Sequence, residues 1–360
     1  MSHDSGEVEL TRDAVAQFRV TELDSRWDEL DRPPVGCLPS LLVGLERLGA
    51  PRMGLPEDAG GTEATAAAQV EVYRGIAAAS PALAVALLQH LVAARAIARV
   101  SAAPGRDADL MAALRQQWFA LAELRPRPEV TGAFAVDRGP SHWRLSGTAP
   151  ALVCAGADQL VVFATDGAEE AYLCLVPELS EVFAAAGSPS GLRLLTRGQV
   201  RMAEQIVPPA HIWPLDAETR QMTAAHIDGA VAAIAAGVLG ECARRGIRYA
   251  LSRRQGGVAI AEHDAIRQAI GELLVAEDAL QALAERAIAA QGTAFVGAGA
   301  AFAGERLPRL LAQAIQIFGG YGYMRDFGIE RYFRDTSALL AMYVDPAGIE
   351  RALAQAALTA

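Results

Sequence analysis

The stretch QIFGGYGYMRDFGIERYFRD, Gln316 to Asp335, decides how this chain of 360 residues reads. A helical pattern from Ala300 to Phe318 runs into a glycine-rich turn, GGYGY, and a shorter helix follows Ile329. Just beyond comes LAMYVDPAGIER, Leu340 to Arg351. Asp345 stands before a proline at a first helical position, the signature of a helix N-terminus, so the last helix is expected from Pro346. Working outward, two longer helices precede, roughly Glu218 to Arg254 and His263 to Gln291.

Residues from about 126 to 215 have a different texture. HWRLSGTAP, DQLVVFATDG, EEAYLCLVP and QVRMAEQIVPP are short segments with β-branched and aromatic residues, divided by Gly, Pro and Asp. They predict strands and turns, with LRLL, Leu192 to Leu195, as a further strand. Residues 1 to about 125 return to helical spacing in SLLVGLERLGA, QVEVYRGIAAA, PALAVALLQHLVAARAIARV and LMAALRQQWFALAEL, the last from Leu110 to Leu124. Helices, then strands, then helices predict an α+β chain: an N-terminal helical domain over 1–125, a β domain over 126–215 and a C-terminal helical bundle over 216–360.

The composition excludes several classes. Hydrophobic residues make up 52% and charged residues 21%, as in a globular protein. A net charge of −10 argues against a nucleic-acid binder, which needs a basic face for phosphates. The four cysteines, Cys37, Cys154, Cys174 and Cys242, form no metal-binding spacing and read as buried free thiols. The acidic start MSHDSGEVEL is unlike a signal peptide, and runs such as Ala230 to Gly240 fall short of the ~20 residues a bilayer needs. The expectation is a cytoplasmic protein with no membrane and no nucleic-acid partner. The scattered histidines read as structural, His90 by bonding a neighbour.

The order of segments, and several of their sequences, resemble the acyl-CoA dehydrogenase family across nearly the whole chain. LERLGAPRMGLPEDAGG, WRLSGTAPALVCAGADQLVVFATDG, RYALSRRQGG and QIFGGYGYMRDFGIERYFRD carry the resemblance. It implies that family's α+β fold with a C-terminal four-helix bundle, an acyl-CoA or acyl thioester substrate, bound FAD and a dimeric or tetrameric assembly. It also implies a glutamate that removes an α-proton while hydride leaves for the flavin, a base tuned by an apolar cleft.

The glutamate is missing. Alignment on the terminal Tyr and Ile-x-Arg puts Val344 in its slot and Pro346 in that of a flavin-contacting threonine. The alternative slot used by some branches falls, counting back from Arg253, on Ile227, with Gly237 on the shared helix glycine. Asp345 and Asp228 adjoin the two vacant slots and are the candidate replacement bases; a shift of one residue turns a helical side chain by about 100°. The competing reading makes Asp345 a helix cap.

The flavin residues divide into two sets. Those that would hold this chain's own ring are replaced: Ala122 and Leu124 in the loop, Ala151 and Val153 on the strand, Pro346 after the base. The Arg125–Glu129 loop beyond reads as solvated or as a contact for a CoA phosphate. Those donated to a neighbouring chain's FAD stand in place: Arg253, Gln316, Gly319 and Gly320, with only a Phe lost, to Gly256. Arginine suits a pyrophosphate, and glycine lets backbone approach a ligand. This asymmetry resembles the non-catalytic chain of heteromeric acyl-CoA dehydrogenases such as those of actinobacterial steroid metabolism, where FAD is shared with a homologous partner subunit in a heterotetramer. Two other readings stay open: a stand-alone flavin enzyme of specialised metabolism using Asp345 or Asp228, and a flavin-free scaffold in which Arg253 and Gln316 are surface residues and GGYGY a fold-defining turn.

Overall fold

The computed structural model describes residues 3–34, 36–62, 64–101, 108–122, 133–139, 142–154, 156–168, 170–176, 178–290 and 297–359. The N-terminal part holds α1 (His3–Phe18), α2 (Trp27–Asp31), α3 (Cys37–Leu48), α4 (Ala66–Ala79), α5 (Pro81–Val100) and α6 (Ala108–Gln116). Strands follow: β1 (Phe119–Leu121), β2 (Phe134–Arg138), β3 (Trp143–Val153), β4 (Gln159–Thr165) and β5 (Ala171–Val176). After the one-turn α7 (Leu179–Val182) come β6 (Phe183–Ala185), β7 (Thr196–Val207) and β8 (Ile212–Pro214). The C-terminal part consists of α8 (Ala217–Ser252), a small hairpin of β9 (Arg254–Gln255) and β10 (Val258–Ala259), then α9 (Asp264–Ala289), α10 (Ala298–Ile317), α11 (Ile329–Tyr343) and α12 (Pro346–Thr359). This is the α+β arrangement that the resemblance implies: a sheet between two helical parts.

Local chemistry sets the helix ends. Ser80 caps α5 by accepting from the Leu83 amide at 3.2 Å, with Pro81 at the first helical position. Asp216 caps α8 by accepting from the Thr219 amide at 2.7 Å. Gly49, at φ 76°, closes α3. Gly237 sits in the middle of α8 because a Cβ there would lie 2.1 Å from the Arg74 carbonyl oxygen of α4. The two helices therefore cross at backbone contact, which an alanine would push apart.

Among the described residues the strands run β6-β7-β3-β2-β4-β5-β8, with β1 parallel to β4 in the register Phe119↔Gln159. The two faces serve different cores. Leu152 of β3 and Cys154 just after it join the large core shared with the helices, whereas Ala149, Ala151 and Val153 belong to the sheet's own apolar cluster. Period-two alternation separates them.

Two expected elements differ. The apolar run after Leu110 does not continue as helix: α6 stops at Gln116 and Phe119–Leu121 is a strand. A fully buried three-residue strand carries no alternation to distinguish it from helix. LRLL is a turn, not a strand. Leu192 takes φ 54°, Leu195 bonds back to the Leu192 carbonyl at 2.9 Å, and all three leucines are buried. Its backbone is captured from outside the sheet: the Leu192 amide donates to Asp335 of α11 at 2.6 Å. α5 and α8 are long and apolar enough to cross a bilayer by length and composition alone, but their apolar windows are 94% and 83% buried inside the fold. All four cysteines are free and buried.

α11 ties the parts together. Arg331 donates to the carbonyls of Trp27 (2.7 Å) and Ala79. Tyr332 donates to the Ala78 carbonyl at 2.6 Å, and Arg334 reaches Asp31 at 2.9 Å and the Ser190 carbonyl at 2.6 Å. Burial pushes the Asp335 carboxyl up to about 6, against the pull of Arg331, the Leu192 amide and Arg334, with Asp31 adding to the rise. A raised acid favours the protonated folded state, so this group's contribution is full below its unfolded value and is lost as pH rises through about 6. The melting temperature of the wild type, measured against Asp335→Asn, should therefore fall between pH 4 and pH 7. A rise over that range would overturn the assignment.

Candidate functional site

The sequence-derived positions fall in two places. The first is the segment between α11 and α12. Val344 ends α11, half-buried, its amide on the Leu340 carbonyl at 2.9 Å. α10 packs hard against it: a Cβ on Gly304 would meet Val344 Cγ1 at 2.9 Å and Pro346 Cγ at 2.6 Å. Asp345 caps α12, its Oδ1 accepting from the Gly348 amide at 3.2 Å while its carbonyl accepts from Ile349 at 3.0 Å. On α8, Ile227 is buried in the large core at 2% exposure, and Asp228 beside it is half-buried and engaged in an interaction of its own. Ala122, Ala151 and Val153 are all buried among the sheet's apolar side chains. Leu124 and the Arg125–Glu129 loop lie outside the described residues.

One polar group crosses this apolar region. Gln89 of α5, fully buried, donates through Nε2 to the Leu152 carbonyl of β3 at 2.6 Å and to the Tyr343 hydroxyl at 3.1 Å. It therefore joins the strand of Ala151 and Val153 to the residue before Val344. Its Oε1 has no hydrogen-bond partner among the described residues. No motif pointed to Gln89; a polar residue within the apolar run ALLQHLV was the available signal.

The second place is the exposed end of the C-terminal bundle. Arg253 caps α8, and Ile260 bonds its carbonyl at 2.8 Å, closing the β9–β10 hairpin. Gly256 and Gly257, at φ 63° and 87°, form the two-residue turn of that hairpin, which explains a glycine where the resemblance has Phe. Tyr249, Phe318, Phe327 and Tyr321 pack as an aromatic cluster, with Tyr249 stacked on Phe318 at 4.7 Å, and fasten GGYGY to α8. The Arg253 guanidinium lies 5.9 Å from the Tyr321 ring centroid and has no ion pair among the described residues. Arg253, Gln316, Gly319 and Gly320 are all exposed.

The glycines separate by cause. Gly319 has φ 58°, and Gly322 packs so closely that a Cβ would lie 2.2 Å from the Ile315 carbonyl oxygen. Both are demanded by the turn. Gly320 has neither a left-handed φ nor any atom within 4 Å of a would-be Cβ. The fold alone does not require a glycine there.

His90 is structural: Phe119 donates its amide to Nδ1 at 3.2 Å, so Nε2 donates to the Pro51 carbonyl at 3.0 Å, and burial pulls its pKa down to about 4.

Comparison with known proteins agrees with this geometry. The acyl-CoA dehydrogenase N-terminal domain model matches residues 5–105 and the C-terminal domain model residues 222–342, together well over half of the chain. Acryloyl-CoA reductase (NADH) of Anaerotignum propionicum is 25% identical over 354 residues, covering 91% of this chain and 89% of that one. Cyclohexane-1-carbonyl-CoA dehydrogenase of Geobacter metallireducens is 34% identical over 94 residues, and there the match spans only a quarter of each chain. The glutaryl-CoA dehydrogenase structure with glutaryl-CoA superposes with a TM-score of 0.87 at 20% identity, over 100% of this chain and 96% of that one. The chain belongs to the acyl-CoA dehydrogenase family.

Losing the Gln89 bridge leaves the buried Leu152 carbonyl unpartnered. Gln89→Leu should cost about 1–3 kcal/mol in urea unfolding, and Tyr343→Phe only about 0.5–1.5 kcal/mol. Equal costs would show that the strand contact contributes nothing.

Proposed function

We propose that this chain is a base-lacking subunit that completes the FAD site of a homologous partner in a heteromeric acyl-CoA dehydrogenase. One observation carries the reading. The positions matching this chain's own base and ring contacts are apolar and packed, while Arg253, Gln316, Gly319 and Gly320 lie exposed. Bound FAD supplies the family's two-electron acceptor chemistry. The residues present fit its two halves unequally. Val344, Ala151, Val153 and Pro346 offer no side-chain hydrogen-bond donor and no acid toward a ring. Arg253, without a carboxylate, has its charge available for a pyrophosphate, and Gly320 leaves backbone open to close approach.

A partner surface fits the same end. Leu251, Tyr323 and Met324 are 66%, 81% and 51% exposed near the patch, an apolar group unusual on a surface left to solvent. Asp345, spent on its cap, gives the stand-alone reading little support.

Purified alone, the chain should show almost no flavin absorbance. Co-expressed with a glutamate-containing paralogue, it should give a yellow complex with one FAD for every two chains, and Arg253→Ala should lower that content. Stoichiometric FAD on the chain by itself would sink the proposal, as would a flavin-free complex with every paralogue tried. Turnover by the lone chain that is lost in Asp345→Asn would instead establish the stand-alone enzyme.

A further inference from the structure

Between α5, the Met53–Pro56 turn and the first turns of α8 lies a cavity of about 290 Å³. Its polar end is Arg95. One Nη2 bond goes to the Gln69 side-chain oxygen at 2.6 Å, and a long one goes to the Met53 carbonyl at 3.4 Å. Nε is buried without a partner, and no carboxylate pairs with the guanidinium among the described residues. His226 lines the same cavity at 4% exposure. Its Nε2 bonds the Tyr73 hydroxyl at 3.0 Å, and its Nδ1 is buried with no partner among the described residues.

The other charged groups around this cavity are compensated. Arg99, at the cavity edge, pairs with Glu218 at 2.5 Å, and Asp216 is held by its own helix cap. Arg95 is the exception. Its charge reaches both neighbours, adding to the burial that pulls His226 down and opposing the burial that pushes Tyr73 up. A half-buried guanidinium whose Nε is shut off from water and which lacks a counter-ion is costly, and proteins that keep one supply an anion to it. The backbone has made room: Gly54, at φ 66°, would place a Cβ 1.9 Å from Arg95 Nη2, so any side chain there would displace the guanidinium.

The rest of the wall is apolar. Val92 and Ala96 of α5, Met222 of α8 and Pro56 face the cavity. The volume is at the small end of ligand sites, which run from about 300 Å³ upward.

We propose that this cavity binds the carboxylate of a short aliphatic chain, its oxygens on Arg95 and its methylenes against Val92, Ala96 and Met222. The site is separate from the flavin patch, so it stands whether or not the subunit reading holds. Two sources present this chemistry: a free short-chain carboxylate, or the far end of a dicarboxylyl thioester. α5 brings Gln89 to the vacant base region and Val92 to the cavity within one helical turn, which makes the second source sterically reasonable.

The test is calorimetric titration of the full chain, with its partner where one co-purifies, at constant ionic strength. The probes are sodium butyrate, butanamide, butyryl pantetheine and glutaryl pantetheine. Butyrate should bind at least ~10-fold more tightly than butanamide, because a charge-assisted bond is lost in the amide. Arg95→Met and Met222→Trp should each abolish it, the first by removing charge and the second by filling the space. Circular dichroism melts identify a misfolded variant, and the two fail for different reasons. If glutaryl pantetheine binds while butyrate and butyryl pantetheine do not, the carboxylate belongs to the thioester. If butyrate binds, it is a free acid. Equal binding of butyrate and butanamide, binding unaffected by both variants, or no carboxylate binding at all would overturn the site.

Discussion

The clamp made by α11 is the interaction on which the other parts depend. Arg331 and Arg334 are placed three residues apart and so point along one side of the helix, and Asp335 lies four residues from Arg331. From that side they satisfy backbone carbonyls at Trp27, Ala79 and Ser190, the Asp31 carboxylate and the Leu192 amide. These side chains bond across the fold, although Arg331 Nε is buried with no hydrogen-bond partner among the described residues. The arrangement therefore fixes the N-terminal helices, the loop before β7 and the C-terminal bundle in one geometry. α11 then ends at Val344, just ahead of Asp345-Pro346, where the residue before a proline leaves the helical region.

Around that position the chain has replaced polar function with packing. α10 comes close enough at Gly304 to touch Val344 and Pro346, Asp345 is drawn into the cap of α12, and Gln89 ties β3 to Tyr343. The opposite end of the bundle has kept its polar and glycine positions exposed. A single chain thus carries a packed apolar region where the resemblance has a catalytic base, and an open surface where it has contacts to a neighbour's cofactor. Neither feature alone distinguishes a subunit from a scaffold, but their combination gives the subunit reading its direct biochemical test.

Most helices were legible. The periodicity of the C-terminal segments placed them within a few residues, and Asp-Pro marked the last one. Phe119–Leu121 and Leu192–Leu195 were not. Short apolar runs fit helix, strand or a buried turn equally, and what separates them is pairing with Gln159–Val161 in one case and capture by Asp335 in the other. Candidate positions could be named where motifs existed, at Arg253 and GGYGY. Gln89, Arg95 and His226 were illegible because their importance comes from partners distant in sequence, or from having none.

The sequence by itself determined the order of elements, the family and the absence of an acid at Val344 and Ile227, since these follow from local pattern and alignment. Tertiary structure alone decided that Gln89 bridges β3 and Tyr343, that Gly322 packs against Ile315 while Gly320 meets nothing, and that Arg95 is half-buried with no carboxylate partner among the described residues. Those facts depend on which atoms meet across the fold. Hydrogen bonding and desolvation act over a few ångströms, and chain distance carries no record of them.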